Sequence, residues 1–162
     1  MADNTNLEKI REVKLIKEGT VLDHIPPAAV MKIIEHLELD KLSTPYVIGS
    51  NYTSPKIETK AFIKTTDYYF TENQLSWISL FAPQATVNII RNYEIVEKYQ
   101  VKLPTEVSGL IKCPNPKCIT NKEGEPISTL FKVMPSGKLL TPELLCHYCG
   151  KTTTQFQPSH HR

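Results

Sequence analysis

Four cysteines, and only four, stand in this chain of 162 residues, and all fall in its last third. They form two close pairs. The first is Cys113-Pro114-Asn115-Pro116-Lys117-Cys118 and the second Cys146-His147-Tyr148-Cys149, separated by residues 119–145, enough chain for a hairpin or two. C-x4-C and C-x2-C are ordinary ligand spacings, so Cys113, Cys118, Cys146 and Cys149 predict a tetrahedral sulfur site with metal–sulfur bonds of ~2.3 Å. Zinc suits such a site because it imposes no geometry of its own and takes no part in redox chemistry. Iron in a rubredoxin-like site is an alternative that thiolates alone leave open. Two disulfides are the other alternative, disfavoured because no apolar signal-like stretch opens the chain. Four sulfurs leave no coordination position for water, so the expected metal is structural. His147 reads as a solvent-facing spacer.

The rest of the composition excludes more than it suggests. With 19 basic against 17 acidic residues the formal net charge is +2, which argues against a polyanion binder clothed in positive charge. No apolar run approaches the ~20 residues that cross a bilayer. A cytoplasmic protein with no membrane partner is expected.

Upstream of the cysteines the pattern alternates between strand and helix. Val13 and Leu15, flanked by Ile10 and Ile16, predict a strand over 12–15, and Gly19 reads as a turn after it. Pro27 suits a helix start, and Val30, Ile33, Ile34 and Leu37 recur at helical spacing behind it. Strands follow at 46–50 and 60–64, with Tyr68-Tyr69-Phe70 extending or following the second. Thr71 and Gln74 form a capping-box pattern for a second helix, with Leu75, Trp77, Ile78, Phe81 and Ala82 on its apolar face and Pro83 at its end. Two more strands are expected at 85–91 and 95–99. The order β-α-β-β-α-β plus an edge strand predicts an α+β chain with a ferredoxin-like (split βαβ) domain. Its boundary falls at 103–106, giving domains 1–104 and 105–162. The second would be a small antiparallel β zinc-ribbon-like domain, with strands near 110–113, 129–134, 139–145 and 152–156. A unit of that size is marginal alone, and metal binding would supply the missing folding energy.

No catalytic constellation stands out: G-x-S-x-G, G-x-x-x-x-G-K-[ST] and H-E-x-x-H are all absent from the sequence. Asp23-His24 is the one acid–imidazole neighbour pair, and in an extended segment the two would point to opposite sides as separate contacts. His36, His160 and His161 read as surface. Lys14, Lys64 and Lys98 fall on three different expected strands, with Lys17 ending the first. Neighbouring strands could gather some of these ammonium groups into one anion pocket. Equally, each could be a solvated lysine that blunts a strand edge.

Three runs resemble the aspartate carbamoyltransferase regulatory chain family. They are 19–26 (Gly-Thr-Val-Leu-Asp-His-Ile-Pro), 81–88 (Phe-Ala-Pro-Gln-Ala-Thr-Val-Asn) continued by Asn92-Tyr93-Glu94, and Cys113-Pro114-Asn115 with Cys118, Cys146 and Tyr148-Cys149. The resemblance covers about 13–156 with the motifs in the expected order. It implies a non-catalytic regulatory subunit in pyrimidine biosynthesis. Its first domain would bind nucleoside triphosphate effectors (CTP, ATP, UTP), and its zinc domain would hold the catalytic chains. It further implies a homodimer of regulatory chains inside a larger hetero-oligomer of up to a dodecamer. Carried over residue by residue, Asp23 and Lys64 would lie near ribose and base, and His24 and Lys98 toward the phosphates. Val13, Ile16, Asn88, Ile90, Tyr93 and Ile95 would line base and sugar. Lys14 and Leu15 stand where the best-known members carry an acidic and a small residue. Lys117 and Gly150 replace polar and acidic residues that meet the catalytic chain in those members, while Asn115 and Tyr148 remain.

The rival class is a nucleic-acid-binding zinc ribbon. Its basic face would have to come from Lys117, Lys122, Lys132, Lys138, Lys151 and Arg162, opposed by Glu123, Glu125 and Glu143. Its stacking aromatics would have to be Phe131, Tyr148 and Phe156, which a small ribbon needs for its core. No nucleic-acid partner is expected.

Overall fold

The computed structural model describes residues 15–55, 58–134 and 141–159. It divides into two compact units, one taking in the chain up to Thr71 with Gln84–Gln100, the other Glu72–Pro83 with the chain from Val101 on.

The first unit is a five-stranded antiparallel sheet built from β1 (Glu18–Ile25), β2 (Tyr46–Thr53), β3 (Thr59–Thr66), β4 (Thr86–Arg91) and β5 (Glu94–Gln100), in the order β2-β3-β1-β4-β5. Dropping β5 leaves the 2-3-1-4 order of a split βαβ sheet, so the α+β, ferredoxin-like expectation holds, with β5 as the extra edge strand. Helix α1 (Pro27–His36) connects β1 to β2 and packs on β3. Pro27 opens it, where the missing N–H costs nothing, and Ala29, Val30, Ile33 and Ile34 form its buried face. Leu22, Ile25 and Ile63 are fully buried in this unit, with Thr20 and Thr65 beside them.

The opening strand differs from the sequence expectation. Residues 10–14 of that expectation, with Val13 and Lys14, lie outside the described residues, and Leu15 and Ile16 are not in a strand. The strand that pairs is 18–25, and Gly19 is inside it, not at a turn. Gly19 takes φ 137°, and a Cβ there would lie 2.0 Å from the Thr65 carbonyl oxygen. Only a residue without a side chain lets β1 approach β3 so closely. A second irregularity follows between Leu22 and Ile25, where β1 spends one more residue than β3. This bulge lets both Leu22 and Ile25 face the core, which breaks the two-residue alternation a strand search relies on.

The second unit holds α2 (Glu72–Phe81) and a four-stranded antiparallel sheet in the order β6-β7-β8-β9, with β6 Glu106–Ser108, β7 Leu130–Met134, β8 Glu143–Cys146 and β9 Thr152–Thr153. The strand expected at 110–113 sits earlier, at β6, where Val107 pairs with Phe131, and only a bridge from Ile111 to Pro158 remains downstream. Positive φ at Gly109 ends β6 before the cysteines are reached. Phe131, Ile111 and Leu144 are fully buried, and Phe156 meets Phe81 edge-on with centroids 5.4 Å apart.

Candidate functional site

Two short hairpin-like knuckles bring the four cysteines together. In the first, Asn115 accepts the Cys118 N–H through its carbonyl at 3.0 Å and the Lys117 N–H through its side-chain oxygen at 3.1 Å. The Asn121 amide clasps this loop from outside, donating to the carbonyls of both Cys113 and Asn115 at 2.8 Å. In the second, the Gly150 N–H reaches the Cys146 carbonyl at 2.9 Å, and Gly150 takes φ 69°, a left-handed conformation that favours glycine. That requirement accounts for glycine at a position where the best-known members of the resembled family carry another residue.

The sulfurs of Cys113, Cys118, Cys146 and Cys149 all lie within 4.8 Å of one another. The Cys113–Cys149 and Cys118–Cys146 separations are 3.6 and 3.9 Å. A disulfide needs about 2.05 Å, so the two-disulfide alternative fails and the cysteines are free. Tetrahedral ligands at ~2.3 Å from one ion would stand about 3.8 Å apart, which the two close pairs bracket. The donor set therefore fits a metal ion, held by four sulfurs with no open position. Burial pushes the Cys113 and Cys146 thiols up, a penalty on thiolate that a central cation would remove. Cys149 is lowered to about 7; burial opposes that shift but is outweighed by donors from the Asn115 side chain, the Lys151 N–H and the neighbouring thiols. The Thr120 hydroxyl donates to the Cys118 sulfur at 3.3 Å, an outer contact that sequence spacing does not reveal. His147 is exposed, its ring against Tyr148, as a spacer should be. Beside the knuckles a cavity of ≈ 980 Å³ opens between Lys112, Thr120, Lys122, Glu125 and Ser159.

The second candidate lies on one face of the five-stranded sheet. Register places Val47, Lys64, Val21, Asn88 and Lys98 in a single row across β2, β3, β1, β4 and β5. Directly opposed residues share a face, so Lys64 and Lys98 flank Asn88 from about 14 Å apart, within reach of converging side chains. Asn88 is buried and donates to the Val21 carbonyl at 3.2 Å. Burial lowers Lys64 from its ordinary ammonium value. Toward the β4–β5 turn the same face becomes apolar, with Ile90 paired to Ile95 and Tyr93 in the turn itself. Toward the opposite end lie Thr86, Asp23 and His24, about 13 Å from Ile90 along the strands. Ile16 is half-buried just before β1, and Val13 lies outside the described residues.

Asp23 and His24 are not on opposite sides. His24 takes φ 59° within the bulge, which brings its Nδ1 to 3.7 Å from the Asp23 carboxylate and 3.3 Å from the Thr86 hydroxyl. Both contacts involve the same ring nitrogen, so the three cannot work as an acid–imidazole–hydroxyl relay, which needs one nitrogen for each neighbour. Lys60, which the sequence reading passed over, donates to Asp23 at 2.8 Å. A Lys at strand spacing from Lys64 was the available signal, since i and i+4 share a face.

Two family models cover this chain. The allosteric domain of the aspartate carbamoyltransferase regulatory chain matches residues 11–102, and the metal binding domain of the same chain matches residues 105–157. The chain belongs to this family. Among related regulatory chains, that of Phocaeicola vulgatus is 42% identical over 151 residues, covering 93% of this chain and 92% of the relative. The Methanopyrus kandleri chain is 42% identical over 146 residues, covering 90% and 92%. That of Pyrococcus horikoshii is 43% identical over 143 residues, covering 87% and 91%. The family is one of regulatory, not catalytic, chains, with an allosteric and a metal-binding domain. Among the described residues, no helix is long and apolar enough to cross a membrane.

Proposed function

We propose that this regulatory chain binds nucleoside triphosphates (CTP, ATP or UTP) on the polar face of its five-stranded sheet and docks to aspartate carbamoyltransferase catalytic chains through a zinc-held C-terminal domain. Domains 1–104 and 105–162 would carry the two tasks, a division supported by family models that end and begin at 102 and 105, although Glu72–Pro83 groups with the second compact unit. The observation that carries the reading is the row of Lys64, Asn88 and Lys98, graded from an apolar end at Ile90, Ile95 and Tyr93 to a polar end at Asp23 and His24. A base needs the first, and Lys98 and His24 would serve the triphosphate, because hydrogen bonds to ionised phosphate oxygens are the strong ones; Asp23, itself an anion, would face the ribose. Ile16, just before β1, would border the site, and the family resemblance assigns Val13 to it as well.

Zinc is the natural ion for the four sulfurs, because it takes a closed S4 shell without redox activity. The surface around the knuckles, with Asn115, Lys117, Tyr148 and Gly150, is the expected docking face for a catalytic chain. Tyr148 is 44% exposed there. The nucleic-acid alternative weakens further, since Phe131 is fully buried and Phe156 packs on Phe81.

A homodimer by sheet extension would use the β2 edge, where Val47 and Ile48 are 44% and 38% exposed, because β5 carries Lys98 and the ligand face. Such pairing covers an edge that would otherwise invite aggregation. Nucleotide would regulate by binding one quaternary state better than another, within an assembly of up to a dodecamer working in cytoplasmic pyrimidine biosynthesis. The test mixes the zinc-loaded chain with the cognate catalytic trimer and follows aspartate saturation with and without CTP and ATP. A complex on size exclusion and a nucleotide-dependent shift are expected. Absence of either with zinc present counts against the reading.

A further inference from the structure

The β4–β5 connection is a two-residue hairpin turn. Asn92 and Tyr93 take φ 50° and 69°, both in the left-handed region, between the paired Arg91 and Glu94. Two consecutive positive φ values give the turn whose twist matches antiparallel strands, and asparagine or glycine fill it readily. Tyrosine does not, because its Cβ meets the following carbonyl. Something must hold Tyr93 there.

The holding contacts come from the start of β1. One Glu18 carboxylate oxygen accepts the Asn92 N–H at 3.0 Å, and the other accepts the Tyr69 hydroxyl at 2.9 Å. That hydroxyl also lies 3.3 Å from the Ile90 carbonyl, and the Arg91 guanidinium stacks 4.9 Å from the Tyr69 ring centroid. Arg91 Nη1 is 3.9 Å from the carboxylate, and the Lys17 carbonyl takes the Tyr93 N–H at 3.1 Å. Two of these contacts fasten the turn directly, Asn92 to Glu18 and Tyr93 to Lys17, and the rest hold the Glu18 carboxylate and the strand ends that flank the turn. Tyr93 and Ile95, which the turn carries, are 57% and 59% exposed, so packing does not fix them.

We infer that Glu18 is a positioning residue for the nucleoside end of the site: it holds the strained Asn92–Tyr93 turn so that Tyr93 and Ile95 stand ready for a base, without touching the ligand itself. This rests on the nucleotide reading above. The carboxyl is held below its ordinary value, first by the Asn92 N–H and then by the Tyr69 hydroxyl, as expected of a group in a fixed cage of donors. The phosphate end, at Lys98 and His24, lies on other parts of the sheet and is untouched by this clamp.

The test compares Glu18→Ala with wild type for CTP and for inorganic tripolyphosphate, by calorimetry on the full zinc-loaded chain. Glu18→Ala is expected to weaken CTP by about fivefold or more while leaving tripolyphosphate unchanged. Glu18→Gln keeps an acceptor for the Asn92 N–H and is expected to fall between. Amide exchange at Asn92 and Tyr93 should quicken in the alanine variant. Equal losses for both probes would mean general damage and overturn the inference, as would an unchanged CTP affinity. Wild-type chain that bound no CTP would instead remove the nucleotide reading on which it stands.

Discussion

Lys64 holds its ammonium half out of water, and burial depresses its proton affinity. A charge kept at such a disadvantage is expected to matter to a ligand more than to the fold. Lys64→Met should therefore weaken CTP about tenfold while melting no lower than wild type, read by calorimetry and thermal unfolding. The sign with pH follows from linkage. The unfolded chain binds this proton more tightly than the folded one, so the penalty is present at neutral pH and fades as pH climbs toward 10.5. Any thermal advantage of the variant should shrink over the same interval. Gly19 makes the opposite case, a residue that matters to the fold alone. With the Thr65 carbonyl oxygen 2.0 Å from where a Cβ would sit, Gly19→Ala must push β1 off β3. A loss of about 3 kcal/mol is expected in chemical denaturation of the first unit.

At the scale of elements, the knuckle that presents Cys113 and Cys118 depends on one outside side chain. Asn121 donates both its amide bonds to that loop, so Asn121→Ala should lower metal affinity about tenfold in chelator competition. A threonine-to-valine change at Thr120, whose hydroxyl only touches one sulfur, should do less. Element order was legible because it rests on local patterns: Pro27 and the spacing of Val30, Ile33 and Ile34 mark α1, and the cysteine spacing marks the sulfur cluster. The site on the sheet was legible only in part. Lys64, Asn88 and Lys98 fall in one row through pairing between β3, β1, β4 and β5, and no local pattern encodes that register. The bulge at Asp23–His24 hid β1 for a related reason, since an extra residue breaks the alternation by which strands are recognised. Gly19 was misread because a glycine needed for close approach looks, in sequence, like a glycine needed for a turn.

For the whole molecule, the two compact units make different demands on metal. The second unit's sheet is short, and its four sulfurs stand at the spacing an ion would impose. A unit with so few strands draws much of its stability from that ion, so metal binding there is folding energy. The first unit has its own five-stranded sheet and buried core of Leu22, Ile25, Ile33 and Ile63, and none of the residues on its proposed ligand face is a cysteine. Removing the ion with a chelator should therefore separate the two activities. Association with catalytic chains should be lost on size exclusion, while CTP binding by calorimetry stays within about twofold of the metal-loaded value. If CTP binding vanished at the same chelator concentration as docking, the units would be folding as one, and the ligand face would owe its shape to the metal. Retained docking after complete metal loss would place the catalytic-chain contact somewhere other than the knuckles. The first outcome would show that the two units fold independently; coupling itself belongs to the metal-loaded assembly, where a nucleotide acts only through its differential affinity for two quaternary states.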